Sequence, residues 1–192
     1  MTAEVEAVAR VVRHLDALGI PYMVAGSMAS SFHGRPRTTQ DADIVIDPTA
    51  DQLDRLVAEL SEAGFYADQG RARDALRRRR QFNVIDTSSA FKLDLIIRKD
   101  RPFSREEFAR RLRAALGESL EVVLATAEDT ILSKLEWAKL GGGSERQLAD
   151  VGGMIELKGA DLDRDYIERW ARVLGVLDLW RQADRGSAES DN

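Results

Sequence analysis

The chain opens on apolar residues at helical spacing. Val5, Val8, Val12 and Leu15 form one stripe across residues 2–18, with Thr2 in an N-cap position and Gly19 and Pro21 after the last turn. The period then changes. Tyr22 to Ala25 is a short β-rich run, Gly26-Ser27 breaks it, Met28 to His33 suits two turns of helix ending at Gly34, and Arg35 to Thr39 is a basic loop. Asp41 to Asp47 alternates with period two, which sets Ile44 and Ile46 on one face and Asp41 and Asp43 on the other. Pro48 ends that strand. Residues 49–63 return to helical spacing, with Leu53, Leu56, Val57 and Leu60 inward and Gly64 after them. Phe82 to Thr87 and Phe91 to Ile97, joined through Ser88-Ser89, read as an antiparallel hairpin. In its second arm Phe91, Leu93, Leu95 and Ile97 share one face, and Lys92 and Asp94 the other.

Beyond the hairpin the pattern turns helical. Ser104 to Glu107 has the form of a capping box for a helix carrying Phe108, Leu112 and Leu116, and Leu120 to Leu124 is the expected last strand. Thr126 caps a helix with Ile131, Leu132 and Leu135 inward, Gly141 to Gly143 is a flexible break, and Ser144 to Gln147 is a second capping box ahead of Leu148, Val151 and Ile155. Asp163 to Leu174 follows with Tyr166, Trp170 and Leu174, and Trp180 lies in a short last helix; Trp137, Trp170 and Trp180 are read as core or interface residues. Strands before about residue 125 and helices after it predict an α+β fold, a mixed β-sheet flanked by helices with a C-terminal helical bundle. The expected division is an α/β core over 1–125, a helical subdomain over 126–185 and a frayed tail over 186–192.

Composition narrows the chemistry. Hydrophobic residues make up 44% of the 192, no apolar run approaches a membrane span, and the first ten residues carry acidic side chains where a signal peptide has basic ones. A cytoplasmic protein with no membrane role is expected. With no cysteine and only the isolated His14 and His33, any metal must be held by carboxylates. A net charge of −5 argues against coating nucleic acid non-specifically. Six arginines nevertheless crowd into residues 71–80, read as an exposed loop or short basic helix that is either a solvated face or a local phosphate contact.

The candidate site grows from the second strand. Side chains two apart on a strand share a face, which puts Asp41 and Asp43 roughly 6–7 Å apart, close enough to need a cation between them. Asp94 is a carboxylate in mid-strand, unfavourable there unless it binds a metal or pairs with Lys92 or an arginine. Gly26 lets backbone approach a phosphate, and Ser27 offers a hydroxyl and N–H at a helix start; the plainer reading is a strand-to-helix turn with Ser27 as N-cap. Three carboxylates suffice to hold two divalent ions, the arrangement that transfer of a nucleotidyl group from a nucleoside triphosphate requires. Magnesium, two ions, and a nucleoside triphosphate are therefore the expected cofactor and substrate.

The run V-A-G-S, an R-x-T before D-x-D, and a carboxylate in a later apolar strand resemble the DNA polymerase β-type nucleotidyltransferase superfamily, in particular the AbiEii-like toxin nucleotidyltransferases and their small relatives. The resemblance covers about residues 20–160 and implies Asp41, Asp43 and Asp94 as catalytic metal ligands and Gly26 and Ser27 as nucleotide-binding residues. It adds Arg37 and Thr39, otherwise solvated loop residues, as triphosphate contacts. The resemblance also implies Lys134, within TAEDTILSKLEWAK, and Asp150 as nucleotide or scaffold contacts; read from the residues alone, Lys134 is as readily a lysine reaching to the surface and Asp150 a partner of Arg146 one turn earlier. The acceptor it implies is tRNA or another RNA, a protein, or a small molecule including antibiotics, and an AbiEii-like role adds toxin activity with an antitoxin partner. A catalytically degenerate member that binds nucleotide or a partner protein is the alternative. Neither the nucleotide, the acceptor nor the oligomeric state is readable from the residues.

Overall fold

In the computed structural model, residues 2–116, 120–141 and 145–190 are described. The chain divides into two compact units, one formed by Met1–Ser27 with Thr39–Leu124 and the other by Met28–Thr38 with Ala125–Asn192.

The first unit is built on a mixed sheet. Its strands are β1 (Tyr22–Ala25), β2 (Asp41–Ile46), β3 (Phe65–Ala67), β4 (Gln81–Asp86), β5 (Lys92–Ile97), β6 (Leu112–Leu116) and β7 (Leu120–Leu124), in the order β3-β4-β5-β2-β1-β7-β6. Helices α1 (Ala3–Ala17), α3 (Ala50–Glu62), α4 (Gln69–Arg78) and α5 (Pro102–Arg110) accompany it. The period-two strands bury one face completely: Ile44, Ile46, Leu93, Leu95 and Ile97 are all fully buried, as are Leu15 of α1 and Leu53, Leu56 and Leu60 of α3. Their burial anchors β2 and β5, the strands that carry the acidic residues on the opposite face. The cap expected at Thr2 forms, and one not expected forms at Thr49. Thr2 accepts from the Val5 N–H, and Thr49 and Gln52 form a reciprocal capping box at the start of α3.

The antiparallel hairpin β4–β5 forms as its alternation implies. Two expectations of the first unit are corrected. The helix expected to carry Phe108, Leu112 and Leu116 stops at Arg110. Pro102, whose fixed φ suits a first helical position, starts it two residues ahead of Ser104, and the Ser104 hydroxyl instead accepts from Arg101 Nε at 3.0 Å. Leu112–Leu116 becomes an edge strand, because pairing antiparallel with β7 from Leu112↔Leu124 to Leu116↔Leu120 satisfies its backbone. The three-residue β3 also lies beside β4, in a stretch whose hydrophobic pattern is too short to show it. The arginine-rich segment is helical, as α4.

The second unit is helical. It comprises most of α2 (Gly26–His33), then α6 (Ala127–Leu140), α7 (Glu145–Lys158), a 3₁₀ turn at Gly159–Asp161, α8 (Arg164–Leu174) and α9 (Leu177–Ser190). Thr126 and Asp163 cap α6 and α8 through their side-chain oxygens. Ile131, Leu132, Leu135, Met154, Ile167 and Trp180 make its core, whereas Trp137 is 59% exposed. The glycine break and the second capping box fall largely on residues 142–144, which lie outside the described residues. Helix α9 continues to Ser190, across part of the stretch expected to fray. No helix among the described residues is long and apolar enough to cross a membrane.

Candidate functional site

Strand β5 lies beside β2, and the two are parallel. Asp43 is in register with Asp94, and Asp41 with Lys92. Adjacent strands are about 4.8 Å apart, so the three carboxylates expected to act together do sit on neighbouring strands with their side chains on one face. On the other side, β1 pairs antiparallel with β2, Ala25 opposite Asp43, and delivers Gly26 next to that carboxylate. Gly26 has φ +58, and a Cβ built on it would lie 1.9 Å from Asp43 Oδ2. Glycine is required there twice, once by the left-handed backbone and once because Asp43 fills the space of a side chain. Ser27 is the second residue of α2.

The charges of this face are not left to themselves. Asp94 is 5% exposed and accepts from Asn83 Nδ2, from Gln81 Nε2 at 3.4 Å and from Lys92 Nζ at 3.0 Å. Lys92 Nζ also reaches Asp41 Oδ2 at 3.6 Å. The hydrogen bond to Asp94 raises the lysine's pKa, against its partial burial, and the charges of Asp94 and Asp41 add to the effect. The pairing of Asp94 with Lys92, one of the two readings open from the sequence, is thus formed. Thr39 is turned towards the same strand: its hydroxyl stands 2.9 Å from the Asp41 carbonyl oxygen and 3.3 Å from Asp41 Oδ1, donating to one at a time.

As these side chains lie, no three His, Asp or Glu residues among the described ones converge on a point that would hold a metal ion. The donor set itself fits magnesium: hard carboxylate oxygens and no nitrogen or sulfur. The Lys92 ammonium takes the counter-charge position between Asp41 and Asp94, so a divalent ion bound by those two carboxylates displaces it.

Two of the residues expected to contact nucleotide, Arg37 and Lys134, belong to the second unit and meet there. Arg37 holds Asp150 through two parallel bonds, Nε–Oδ1 and Nη2–Oδ2, each 2.8 Å. Lys134 Nζ lies 2.7 Å from Asp150 Oδ2 and donates to Gln147 Oε1 at 3.0 Å, while the Ser30 hydroxyl stands 3.5 Å from Asp150 Oδ2. The expected Asp150–Arg146 pair is therefore corrected: the bidentate Arg37 and the buried Lys134, neither a sequence neighbour, take the carboxylate that a same-helix partner was expected to hold. Nor does Lys134 reach the surface, being 4% exposed. Burial by itself would raise the Asp150 pKa, but hydrogen bonds from Arg37 and Lys134 and their charges outweigh it and lower it to about 2. His33, also in this unit, is buried and donates its Nε2–H to the Ala125 carbonyl at 2.7 Å; burial lowers its pKa.

Two outcomes follow from this geometry. Gly26→Ala is expected to cost about 1–2 kcal/mol for the left-handed backbone plus a further term for the contact with Asp43. In a double-mutant cycle with Asp43→Ala, measured by urea unfolding, the further term disappears; an equal cost in both backgrounds would mean that Asp43 does not occupy that space. For Asp150, a folded pKa below the unfolded one stabilises the protein above pH ~4, and that contribution is lost as pH falls towards 2. Asp150→Asn should be less stable at pH 7 by roughly 2–4 kcal/mol, and the gap to the parent should narrow by about 1 kcal/mol at pH 3. A gap independent of pH over that range would remove the ion pairs from this account.

No protein-family model matches the sequence, and no curated protein matches it. Solved structures do match the fold. One is the crystal structure of an antigenic nucleotidyltransferase-like protein from Paracoccidioides brasiliensis, with a TM-score of 0.60 at 17% identity, covering 96% of this chain and 93% of that one. ANT(2")-Ia in complex with adenylyl-2"-tobramycin aligns with a TM-score of 0.58 at 13% identity, over 90% of this chain and 97% of its own. The solution structure of the antibiotic-resistance factor ANT(2'')-Ia gives 0.55 at 14% identity, over 98% and 97%. Such identities speak to the fold alone, and that fold is the nucleotidyltransferase one, as the resemblance to the DNA polymerase β-type superfamily implies.

Proposed function

We propose that this chain is a metal-dependent nucleotidyltransferase that moves a nucleoside monophosphate from a nucleoside triphosphate onto an acceptor hydroxyl. The observation that carries the reading is the β2–β5 register, in which Asp94 stands opposite Asp43 on the face that also bears Asp41, beside Gly26. Asp41, Asp43 and Asp94 hold magnesium, which when bound neutralises charge on the triphosphate and on the reacting oxygens. Gly26 and Ser27 receive the triphosphate at the start of α2, where the positive end of the helix favours anions. Thr39 orients Asp41. In the transfer the acceptor oxygen bonds to the α-phosphorus, the bond from that phosphorus to the bridging oxygen breaks, and pyrophosphate leaves with the electron pair. Asp94 takes the acceptor's proton.

The Lys92 ammonium favours a second reading, in which the chain binds nucleotide or a partner protein without turnover, because a cation already balances Asp41 and Asp94. The acceptor divides the first reading further. ANT(2")-Ia with adenylyl-2"-tobramycin supports a small molecule, and the arginines of α4 support RNA.

Incubation with each labelled nucleoside triphosphate, magnesium and a cell extract of RNA and protein separates these readings. Transfer of label is expected, with a loss of about a hundredfold or more in Asp41→Ala plus Asp43→Ala. Undiminished transfer by that variant sinks the mechanism. A rise in melting temperature with magnesium and nucleotide but no transferred label selects the binding-only reading. The toxin role drawn from the AbiEii-like resemblance predicts growth arrest when the chain is expressed and normal growth with the same double variant; equal growth in both cases removes it.

A further inference from the structure

Of the six arginines in residues 71–80, four are tied to carboxylates. Arg73 grips Asp54 through two bonds of 2.8 Å, Arg77 and Arg78 share Asp74 at 3.0 Å each, and Arg79 lies 3.9 Å from Asp47. Arg71 and Arg80 have no carboxylate partner among the described residues, and these two line one cavity of about 560 Å³ in the first unit. Its shape follows from the local chain. Arg71, Asp74 and Ala75 share a stripe of α4, spaced i, i+3 and i+4. Arg79 then caps the helix with φ +50, which turns the chain so that Arg80, Gln81 and Asn83 run back along β4 as the opposite wall. The acidic residues at the rim are already engaged: Asp68 accepts from the Arg71 N–H at 2.7 Å, and Asp74 is held by Arg77 and Arg78.

The far end of this cavity touches the carboxylate face. Gln81 and Asn83 line it, and both donate their amides to Asp94. A ligand lying in it is one side chain away from the carboxylate that, on the proposed function, takes the acceptor's proton. Two guanidinium groups without counter-ions in a polar cavity of this size suit phosphate, which each can bind through two parallel N–H bonds. Arg77 and Arg78, which are 71% and 60% exposed and share a single carboxylate, extend the positive track beyond the cavity along the same helix. A free phosphate or mononucleotide has no use for that extension, but a chain of phosphates does.

We propose that the cavity between α4 and β4 is the acceptor subsite, and that it takes the phosphate backbone of a single-stranded RNA end, with Arg71 and Arg80 as its phosphate ligands. The inference rests on the proposed function for the identity of the reaction, but the subsite is testable by binding alone. The full chain is titrated into a fluorescently labelled single-stranded RNA of about 12 nucleotides, a length within the range of single-strand sites, and anisotropy is read between about 50 and 200 mM salt. The parent should bind, and Arg71→Gln plus Arg80→Gln should weaken binding roughly tenfold or more while lowering the slope of log affinity against log salt by about 1.4, two contacts' worth. Arg73→Gln, at a guanidinium already engaged with Asp54, should bind within about twofold of the parent. The melting-temperature rise with magnesium and ATP should survive in the double variant, which separates the subsite from the triphosphate site. Absence of RNA binding, equal binding by parent and double variant, or binding of AMP or inorganic phosphate that depends on the two arginines while RNA does not bind, overturns the proposal. If RNA binding depends on the two arginines but no label is ever transferred, the subsite stands and the catalytic reading falls; if label moves to a small molecule or protein and RNA does not bind, the reverse holds.

Discussion

Three carboxylates on two neighbouring strands are the constraint around which the first unit is arranged. Like charges about 5–7 Å apart on a half-buried face repel by several kcal/mol at an interior dielectric unless a cation stands among them. The fold keeps them there because the opposite face of the same strands is locked: Ile44, Ile46, Leu93, Leu95 and Ile97 are fully buried, and a one-residue slip of either strand would drive them into water. Register on the apolar face thus decides geometry on the polar one. Lys92, opposite Asp41, supplies the resident positive charge.

That arrangement makes the site a competition between cations. An ammonium held by Asp94 at 3.0 Å and Asp41 at 3.6 Å stabilises the carboxylate pair without a metal, and a divalent ion gains its affinity net of those contacts. Asn83 and Gln81 hold Asp94 from the side away from β2, since β4 flanks β5 opposite to β2. The same two residues line the α4 cavity, so two hydrogen bonds connect its wall to Asp94.

Much of this was legible in the residues. Period two in Asp41–Ile46 and in Lys92–Ile97 sets the acidic side chains on the face away from Ile44, Ile46, Leu93, Leu95 and Ile97, with Val45 and Ile96 the apolar residues beside them, and the structure keeps that sorting. Adjacency of β5 and β2 was not legible, because a parallel pairing between strands fifty residues apart leaves no local mark; the mid-strand Asp94, costly without a partner, was the one hint. The edge strand Leu112–Leu116 misleads for a physical reason: LRAAL consists of good helix formers, and its two leucines are four apart, so both propensity and spacing imitate a helix until β7 offers a ladder. Asp150 misleads in the opposite sense. Arg146 at i−4 is the natural local partner, yet a bidentate arginine and a buried lysine outcompete an exposed same-helix pair, and neither is visible from spacing.

The boundary between the two units falls within α2, so residues 28–38 belong to a body whose other residues begin at Ala125. Arg37 meets its carboxylate 113 residues further along the chain. At a synthesis rate of about 5–20 residues per second, Arg37 exists for roughly 6–20 s before Asp150 has been made. The second unit is thus a late product of translation that must reclaim a segment laid down early, and no fragment beginning at residue 125 contains it whole.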